Sequence, residues 1–463
     1  MNIFFRALTV LLLCYCPIAS AQDNTIYKID TLMTNRFKPD EPGGTALVAK
    51  DGKIIYQKAF GMAQMELGVP SDTGMVYYIA SNTKQFTAVA ILQLVEKGLI
   101  ALNDSLGKYV NSKPPVSQIT IRQMLSHTSG LNGNGYADSL HIPAGDNTQA
   151  EAERYAARNM AFPAGSKWQY NNANFQVLGH IIEKLSGKTY QEYIIENIFK
   201  PAGMSASYVA SDEPLINRRA TGYGVFRRGI VNMPLHDTQG FFASGGILST
   251  AMDMYKWNQA LKSGILLNKK TLEQAFAAQK LNNGQSARYG FGWYIDTLRG
   301  SLYHRHGGLI PGFMSETLYL PAEDIYVVIL LNSESGLNPQ VLSRIIAAEL
   351  AGKPFEFKQS PIERQHLGGY AGLYENDRGE QVNITEADGK MYFQRPKGRR
   401  YELKHSDTDQ FYLDKDFIWV EFKRGKNRKV DNLVTSWVGT MPSTWSKTGK
   451  PVLQLNETGQ VQP

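Results

Sequence analysis

Cysteine is almost missing from this 463-residue sequence, and its two cysteines, Cys14 and Cys16, both lie near the start. They fall in a stretch with one charge, at Arg6, which is followed by an apolar run and by Ala-Ser-Ala at 19–21. This is the pattern of a secretory signal peptide that is cleaved after Ala21. We therefore expect an exported bacterial protein, periplasmic or secreted, whose mature chain has no disulfide, no thiolate metal site and no cysteine nucleophile.

Other patterns are missing as well. The apolar run of the leader is too short for a comfortable membrane span, and no stop-transfer pattern follows it. The net charge is +7, but the longest basic run is Lys-Gly-Arg-Arg at 397–400, which does not indicate nucleic-acid binding. The histidines show no metal-binding spacing, and the G-x-S-x-G elbow is absent. We expect no cofactor, no metal, no nucleic-acid partner and no stable membrane span after removal of the leader.

The remaining sequence has ordinary globular composition, with 43% apolar and 20% charged residues. Residues 44–61 predict a β-hairpin around Asp51-Gly52, a favoured two-residue turn. A mostly helical middle follows from about residue 81 to 280, and strand-like segments return up to Asn332 before a closing helix. This order predicts one catalytic domain over residues 22–352, after the signal peptide at 1–21, whose sheet combines strands from both ends of the chain.

A second, smaller domain is predicted beyond a proline-bearing linker at residues 353–366. Short alternating strands recur over residues 367–445, with an Asp388-Gly389 turn joining the first two. This pattern is typical of a small antiparallel barrel or sandwich, and we interpret it as a lipocalin-like accessory barrel. The polar residues 446–463 are predicted to form a flexible tail.

Ser81 and Lys84 stand at the head of a segment, residues 77–98, that is otherwise almost wholly apolar. Apolar residues after Lys84 surround the helix axis, which predicts a buried helix that ends near Gly98. Because Ser81 and Lys84 are three residues apart, we expect them to meet on one face of the first turn. A lysine that is desolvated beside a serine can take its proton and make it nucleophilic. A helix-capping serine followed by a surface lysine would fit the same pattern.

Two later stretches place polar side chains at the ends of predicted elements. Residues 118–131 predict a short helix that is capped by Thr120 with Gln123 three residues on and that is followed by Ser-His-Thr-Ser-Gly. In that stretch His127 is interpreted as a residue that fixes the loop by hydrogen bonding. Tyr-Asn-Asn at 170–172 is predicted to form a loop just before another helix.

A third stretch, residues 304–313, places His306, Gly307 and Gly308 among strands, where paired glycines permit close approach of a ligand. A packed strand residue is the alternative interpretation of His306. The segment Gly-Phe-Phe-Ala-Ser-Gly-Gly-Ile-Leu-Ser-Thr at 240–250 fits either a part of a pocket or an ordinary tight turn.

Together these motifs resemble those of the serine β-lactamase and penicillin-binding protein superfamily. They arrive in that family's order over roughly residues 30–345: Ser-x-x-Lys, Leu-Ser-His-Thr-Ser-Gly-Leu, Tyr-x-Asn and a His-x-Gly triplet. The chain looks most like the class C β-lactamase-related branch, which includes D-Ala-D-Ala carboxypeptidases, D-aminopeptidases, esterases and class C β-lactamases. The resemblance implies an α+β fold in which an antiparallel sheet is flanked by helices and joined by a helical subdomain, followed by the small antiparallel β-barrel domain.

The resemblance also implies a role for each motif residue. Ser81 would be the acylated nucleophile, Lys84 would help to activate it, and Tyr170 would shuttle the proton to the leaving group. Asn172 would hydrogen-bond Lys84 and the substrate amide. The sequence leaves open whether Lys84 or Tyr170 is the base, since a phenolate at Tyr170 would be favoured by a nearby Lys84 cation.

The third motif would supply the remaining substrate contacts. His306, Gly307 and Gly308 would line the substrate site, and the N–H groups of Ser81 and Leu309 would form the oxyanion hole, each worth about 3 kcal/mol. Class C β-lactamases have Lys-Thr-Gly at this place, and the histidine is typical of peptidase and esterase members. A Lys-Thr-Gly does occur at 447–449, but we place it in the polar tail, away from any strand that could complete the site.

These observations predict an exported serine hydrolase that cleaves amide or peptide bonds of small substrates, possibly ones with D-residues, through a Ser81 acyl-enzyme. A carboxylesterase or weak β-lactamase on the same residues is one alternative. A non-catalytic protein that binds penicillin or muropeptides, or serves as a scaffold, is another. The expected partner is a small-molecule or peptide substrate, and the sequence leaves the oligomeric state open.

Overall fold

A computed structural model describes the greater part of the chain, and it divides into two compact units at residues 1–351 and 352–463. The described residues are 16–133, 148–210, 215–226, 229–233, 241–334, 338–356, 358–377, 379–396, 398–413, 417–437 and 443–454. Most of the predicted leader and the last nine residues of the predicted tail therefore lie outside the described part of the chain.

The first unit is built around a six-stranded antiparallel sheet. Its strands are β1 (Gly44–Lys50), β2 (Lys53–Phe60), β10 (Tyr294–Leu298), β11 (Ser301–Ile310), β12 (Phe313–Leu320) and β13 (Ile325–Leu331). The spatial order is β10-β11-β12-β13-β1-β2. Gly44 pairs with Leu331, so the sheet combines strands from both ends of the unit, and the expected hairpin closes with Lys50 opposite Lys53.

Short strands form three smaller sheets beside it. These strands are β3 (Met62–Gln64), β4 (Val69–Pro70), β5 (Tyr77–Tyr78), β6 (Tyr208–Val209), β7 (Tyr223–Phe226), β8 (Gly229–Asn232), β9 (Ile247–Ser249) and β14 (Ser333–Glu334). In one of them β9 lies between β5 and β6. This pairing ties the chain just before Ser81 to the segment that follows residues 240–246.

Eleven α-helices occur among the described residues, all in the first unit. They are α1 (Cys16–Thr34), α2 (Thr83–Glu96), α3 (Ile121–Leu125), α4 (Thr148–Ala156), α5 (Asn172–Ser186), α6 (Tyr190–Ile194), α7 (Lys200–Ala202), α8 (Phe242–Gly245), α9 (Ala251–Ser263), α10 (Lys269–Ala275) and α11 (Pro339–Leu350). Among the residues that the structure describes, no helix is long and apolar enough to cross a membrane.

Helix α2 is the centre of the apolar core. Every residue from Thr83 to Leu94 is buried, as the apolar run predicted. Phe86 stacks on Trp257 with ring centroids 4.0 Å apart. A helix that is apolar on all sides must be enclosed by other elements, so its first turn is held rigidly inside the protein.

The cap predicted for α3 is present. Thr120 Oγ1 accepts a hydrogen bond from the Gln123 N–H at 3.2 Å, and Gln123 Oε1 accepts one from the Thr120 N–H at 2.9 Å. This capping box satisfies two donors that the helix start would otherwise leave unpaired. It fixes where α3 ends and where the Ser-His-Thr-Ser-Gly loop begins.

The second unit is a closed antiparallel barrel of eight strands. They are β15 (Gly372–Asn376), β16 (Gln381–Ala387), β17 (Lys390–Gln394), β18 (Arg400–Asp407), β19 (Gln410–Leu413), β20 (Ile418–Arg424), β21 (Val430–Trp437) and β22 (Ser443–Lys447). Each pairs with its sequence neighbour, and β22 returns to β15. The α+β class with a C-terminal barrel is thus confirmed.

The prediction of a loose tail from residue 446 is wrong at its start. Lys447 ends β22 and pairs with Tyr374, and its Nζ donates to the Gly369 carbonyl at 3.1 Å. Thr448 N–H donates to the Leu373 carbonyl at 2.9 Å. The Lys-Thr-Gly sequence therefore begins in the strand that closes the barrel, because closure pairs every strand edge and draws in residues that look polar and unstructured in the sequence.

Candidate active site

Ser81 lies in a single 3₁₀ turn, Ala80–Asn82, immediately before α2. Ala80 has a φ of +47°, a left-handed conformation that is unfavourable for a residue with a side chain. The turn leaves Ser81 partly exposed while its neighbours on both sides are buried. Strain of this kind persists only where the surrounding structure holds it, so the position of Ser81 is fixed from outside the turn.

A chain of buried polar side chains provides that support. Ser315 Oγ, on β12, donates to the Ile79 carbonyl at 2.6 Å and accepts from Asn82 Nδ2 at 2.8 Å. Thr317 Oγ1, two residues further along the same face of β12, donates to Asn82 Oδ1 at 2.8 Å. Fully satisfied buried networks of this kind define one geometry, and this one fastens the turn to the central sheet.

Lys84 is fully buried, so the interpretation of it as a surface residue is wrong. Its Nζ lies 3.1 Å from Ser81 Oγ and donates to the Ser244 carbonyl, at the end of α8, at 2.6 Å. The same nitrogen lies over two rings, 4.8 Å from the centroid of Tyr170 and 5.7 Å from that of Phe175. Burial lowers the pKa of Lys84 well below its usual value of 10.5.

Tyr170 and Asn172 flank Asn171, the residue that caps the start of α5. Asn171 is the N-cap, and its Oδ1 accepts from the Ala173 N–H at 2.9 Å while its Nδ2 donates to the Leu131 carbonyl at 2.6 Å. The Tyr170 hydroxyl is buried, and no hydrogen-bond partner reaches it within the described ranges. Burial, and then the neighbouring Tyr294, raise the pKa of Tyr170 well above 10, although Ser81 and Arg305 act in the opposite direction.

His127 supports this loop from behind, as the sequence predicted. It adopts a left-handed φ of +58°, and its Nδ1 accepts from the Asn171 N–H at 3.1 Å. Its ring packs 4.4 Å from that of Tyr170. Burial lowers its pKa well below 6.5, so it is neutral.

His306, Gly307, Gly308 and Leu309 lie on β11. A Cβ at Gly308 would run into the Ile79 carbonyl and would lie 2.9 Å from Ala80 Cβ. Only glycine lets the turn that carries Ser81 pack so closely on the strand. The glycine pair therefore brings β11 next to the turn rather than merely leaving space for a ligand.

The direction of the Leu309 N–H follows from the strand register. β11 pairs with β12 as far as Ile310, but with β10 only as far as Arg305. A two-residue turn makes Ile310 and Phe313 a directly hydrogen-bonded pair, and consecutive residues point their N–H groups to opposite edges. Leu309 therefore directs its N–H away from β12, toward the edge where pairing with β10 has ended.

Seven of the eight predicted site residues line one pocket with a volume of about 410 Å³. They are Ser81, Tyr170, Asn172, His306, Gly307, Gly308 and Leu309. The eighth, Lys84, approaches Ser81 from the protein interior. Residues from widely separated parts of the chain thus meet around one serine, at a volume suited to a small ligand.

A buried ion pair on the pocket wall was not identified from the sequence. Arg305 Nε donates to Glu316 Oε1 at 2.6 Å and Arg305 Nη2 to Oε2 at 3.0 Å. The guanidinium also lies 4.8 Å from the centroid of Tyr294. Both charged residues are nearly inaccessible and line the pocket, so they face any ligand as a fixed, mutually neutralising pair.

The Ser244 carbonyl and the Asn82–Ser315–Thr317 network were also missed. Ser244 lies in the segment at 240–250, whose sequence fits a pocket and a tight turn equally well. A backbone carbonyl has no sequence signature, and the partners of Asn82 lie more than 230 residues away. Among the features that support the site, only the glycines of the Tyr-Gly-Phe-Gly-Trp stretch at 289–293 form a recognisable sequence pattern.

Comparison with known proteins agrees with this arrangement. The family model described as Beta-lactamase matches residues 29–351, and a domain of unknown function, DUF3471, matches 358–445. Penicillin-binding protein 4* of Bacillus subtilis (strain 168) is 27% identical over 425 residues, which cover 86% of this chain and 94% of that protein. The D-aminopeptidase of Brucella anthropi is 28% identical over 307 residues, 64% of this chain and 57% of that protein.

The solved structures give the same result. The octameric penicillin-binding protein homologue from Pyrococcus abyssi is similar with a TM-score of 0.64 and 25% identity, covering 93% of this chain and all of that one. The chain therefore belongs to the beta-lactamase family, a family of serine hydrolases.

Proposed function

We propose that this member of the beta-lactamase family is an exported serine hydrolase that cleaves amide or peptide bonds of small substrates through an acyl-enzyme on Ser81. The observation that carries the proposal is the fully buried Lys84 Nζ, 3.1 Å from Ser81 Oγ. An amine kept neutral by burial is a base, and a serine hydroxyl needs one to become a nucleophile. A scaffold or simple binding protein would need neither group.

In this proposal Lys84, and not Tyr170, takes the proton of Ser81. Burial favours the neutral form of both groups, that is, the free amine of Lys84 and the protonated phenol of Tyr170. A neutral amine has two N–H groups and one lone pair, so Lys84 can donate to the Ser244 carbonyl and, at 3.1 Å, direct its lone pair at the Ser81 hydroxyl for the proton transfer. As Oγ attacks the substrate carbonyl, its proton moves to Lys84 Nζ. The negative oxygen that forms is stabilised by the N–H groups of Ser81 and Leu309.

Tyr170 then acts as the acid. Its hydroxyl gives a proton to the departing nitrogen as the C–N bond breaks, and the proton held by Lys84 restores the phenol. In deacylation a water molecule attacks the ester, its proton passes through Tyr170 to Lys84, and Lys84 returns a proton to Ser81 Oγ. Acylation and deacylation each end with Lys84 and Tyr170 neutral, which is the state that burial favours.

The expected substrates are small peptides or amides, including ones with D-residues. The similarity to a D-aminopeptidase supports D-configured substrates, and the neutral His306 in place of a lysine argues against efficient β-lactam hydrolysis. Export rests on the leader pattern at residues 1–21. A carboxylesterase remains the second candidate because the same nucleophile and oxyanion donors act on esters.

The test is covalent labelling followed by turnover. Purified protein is incubated with a fluorophosphonate probe and a fluorescent penicillin, and then with D-amino-acid amides, D-Ala-D-Ala peptides, nitrophenyl esters and a chromogenic cephalosporin. We expect an adduct on Ser81, which intact-protein and peptide mass spectrometry would locate, and faster relative turnover of amides than of the cephalosporin. Ser81→Ala should lose both, while Ser263→Ala, which removes a serine outside the pocket lining, should keep them. Absence of any Ser81-dependent adduct and turnover would refute the proposal.

A further inference from the structure

Both ring nitrogens of His306 are engaged by fixed partners. Nδ1 lies 2.6 Å from the Gly307 carbonyl oxygen, and Nε2 lies 3.0 Å from the Tyr289 hydroxyl. The His306 side chain is 1% exposed and Tyr289 is completely buried. The contacts are therefore protected from water, and each nitrogen has one partner that determines whether it carries hydrogen.

The partners fix the direction of both hydrogen bonds. A carbonyl oxygen only accepts, so Nδ1 must carry the hydrogen. Burial lowers the pKa of His306 well below 6.5, so the ring is neutral and Nε2 has no hydrogen. Tyr289 must then donate to Nε2. Its burial, which raises its pKa well above 10, keeps the hydroxyl protonated.

Tyr289 is itself held by close backbone packing around it. A Cβ at Gly290 would run into the Ala275 carbonyl at the end of α10, and one at Gly292 would lie 2.9 Å from the Lys84 carbonyl. The ring packs edge-on against Tyr294 with centroids 4.9 Å apart. The glycines of the Tyr-Gly-Phe-Gly-Trp stretch therefore let this segment lie against α2 and α10, and they set the position of the Tyr289 hydroxyl.

We propose that Tyr289 is a positioning residue: its hydroxyl holds His306 in the tautomer whose Nδ1–H fixes the Gly307 carbonyl. This carbonyl belongs to the peptide bond between Gly307 and Gly308. Gly308 packs on the turn of Ser81, and the next peptide bond carries the Leu309 N–H. A change of tautomer at His306 would release the Gly307 carbonyl and loosen the edge of β11 beside the nucleophile. The inference rests on the proposed function, because it gives that strand edge its role in catalysis.

Charged and titratable groups surround His306 on every side. Lys84 approaches from α2, Arg305 precedes it on β11, and Tyr294 lies on β10, with ring centroids 5.3 Å apart. His127 and Tyr170 approach from the two loops that precede α4 and α5. Burial and the charge of Arg305 disfavour an imidazolium at this position. Without the Tyr289 hydroxyl, Nε2 would therefore gain its hydrogen mainly by a shift of tautomer, which leaves Nδ1 bare.

The test compares Tyr289→Phe with Tyr193→Phe, which removes a different buried hydroxyl, on α6, that has no partner in the described part of the chain. ¹⁵N-histidine spectra of the full chain are recorded from pH 5.5 to 8.5, and the His306 signals are assigned by their loss in His306→Gln. For the wild type we expect a protonated Nδ1 and a bare Nε2 throughout. In Tyr289→Phe we expect the tautomer pattern to shift and kcat to fall about 10-fold with little change in KM, as loss of one buried hydrogen bond suggests.

Tyr193→Phe should leave the His306 signals and kcat unchanged. A protonated Nε2 in the wild type would overturn the inference even if Tyr289→Phe did not fold. Unchanged His306 signals in folded Tyr289→Phe, or a changed tautomer with unchanged kcat, would also overturn it. Failure of the proposed function would look different, since the wild type would then lack a Ser81 adduct whatever the His306 spectra showed.

Discussion

Lys84 Nζ lies 4.8 Å from the centre of the Tyr170 ring, over its face, and it makes no hydrogen bond to the Tyr170 hydroxyl. The sequence had left open a phenolate stabilised by a lysine cation. From over the ring face Lys84 is not placed to stabilise a phenolate at the hydroxyl, and burial favours the neutral form of both groups. The geometry therefore supports Lys84 as base and Tyr170 as acid.

The first prediction concerns the pH dependence of the reaction. The active form holds Lys84 unprotonated, and its folded pKa lies well below 10.5. We expect kcat/KM to rise as pH increases through that lowered pKa and then to stay level, because the pKa of Tyr170 is raised well above 10. Rates with a nitrophenyl ester between pH 5 and 10 would show this. A profile that instead rises only near pH 10 would indicate a tyrosine base.

The second prediction separates the two roles by leaving group. A nitrophenolate leaves without a proton, whereas an amine must receive one, so Tyr170→Phe should slow amide hydrolysis far more than hydrolysis of the activated ester. We expect a loss of about 10²- to 10⁴-fold in kcat for an amide and a much smaller loss for the ester. Because deacylation passes through Tyr170 with either substrate, the comparison uses acylation: single-turnover cleavage of the amide and the first-turnover burst of nitrophenolate from the ester, with Tyr193→Phe as the matched control. Equal losses would contradict the assignment of Tyr170 as acid.

Much of the fold could be predicted because the pattern of side chains and the tertiary structure agree. The turn at Asp51-Gly52, the capping box of Thr120 and the buried helix after Lys84 are all local features, and all are present. The strand predicted near residue 290 begins only at Tyr294 because Gly290 and Gly292 pack their backbones against other elements. Strands β15 and β22 were not predicted. They pair with each other to close the barrel, and this long-range pairing has no local sequence pattern.

Part of the site could also be predicted, because some of its residues occur in local sequence motifs. Motifs with a fixed spacing, such as Ser81 with Lys84, identified the residues that meet in the pocket. The residues that hold them could not be found, since Ser315 and Thr317 are ordinary strand residues until the fold places them beside Asn82. The Arg305–Glu316 pair likewise arises from neighbouring strands, and neither residue has a distinctive sequence context.

The third prediction is that the buried lysine lowers stability. Because the folded pKa of Lys84 is lowered, the unfolded chain binds a proton more readily between that value and about 10.4. The cost of Lys84 is therefore greatest at low pH and disappears as pH approaches the unfolded value. Lys84→Met should abolish turnover and stabilise the first unit by about 1 kcal/mol near neutrality.

Calorimetry of the two proteins at several pH values provides the measurement. The melting temperature of Lys84→Met should exceed that of the wild type at pH 6, and the gap should narrow by pH 10. A gap that widened with pH would contradict the sign of the Lys84 shift. Lys53→Met is a suitable control because Lys53 is exposed.

The fourth prediction concerns the close approach at Gly308. An alanine there would push its Cβ into the Ile79 carbonyl and against Ala80, which would displace the turn that carries Ser81. Displacement of about 1 Å at a reacting group can reduce the rate on the order of 100-fold. Labelling rates with the fluorophosphonate probe would measure the loss. Gly368→Ala, where the added Cβ would meet nothing, should label at the wild-type rate.

The last prediction is that the ion pair of Arg305 and Glu316 matters chiefly as a pair. Glu316→Gln leaves the Arg305 charge buried without its neutralising partner, and we expect a loss of about 3–5 kcal/mol in the free energy of unfolding. Replacing both residues, Arg305→Met with Glu316→Met, should recover most of that loss, because apolar side chains need no neutralisation. Glu273→Gln breaks an exposed pair, 4.0 Å apart on the surface of α10, and should change stability by less than about 0.5 kcal/mol. Urea unfolding of the four proteins gives these values, and a double variant less stable than Glu316→Gln would show that the pair stabilises the fold through its charges.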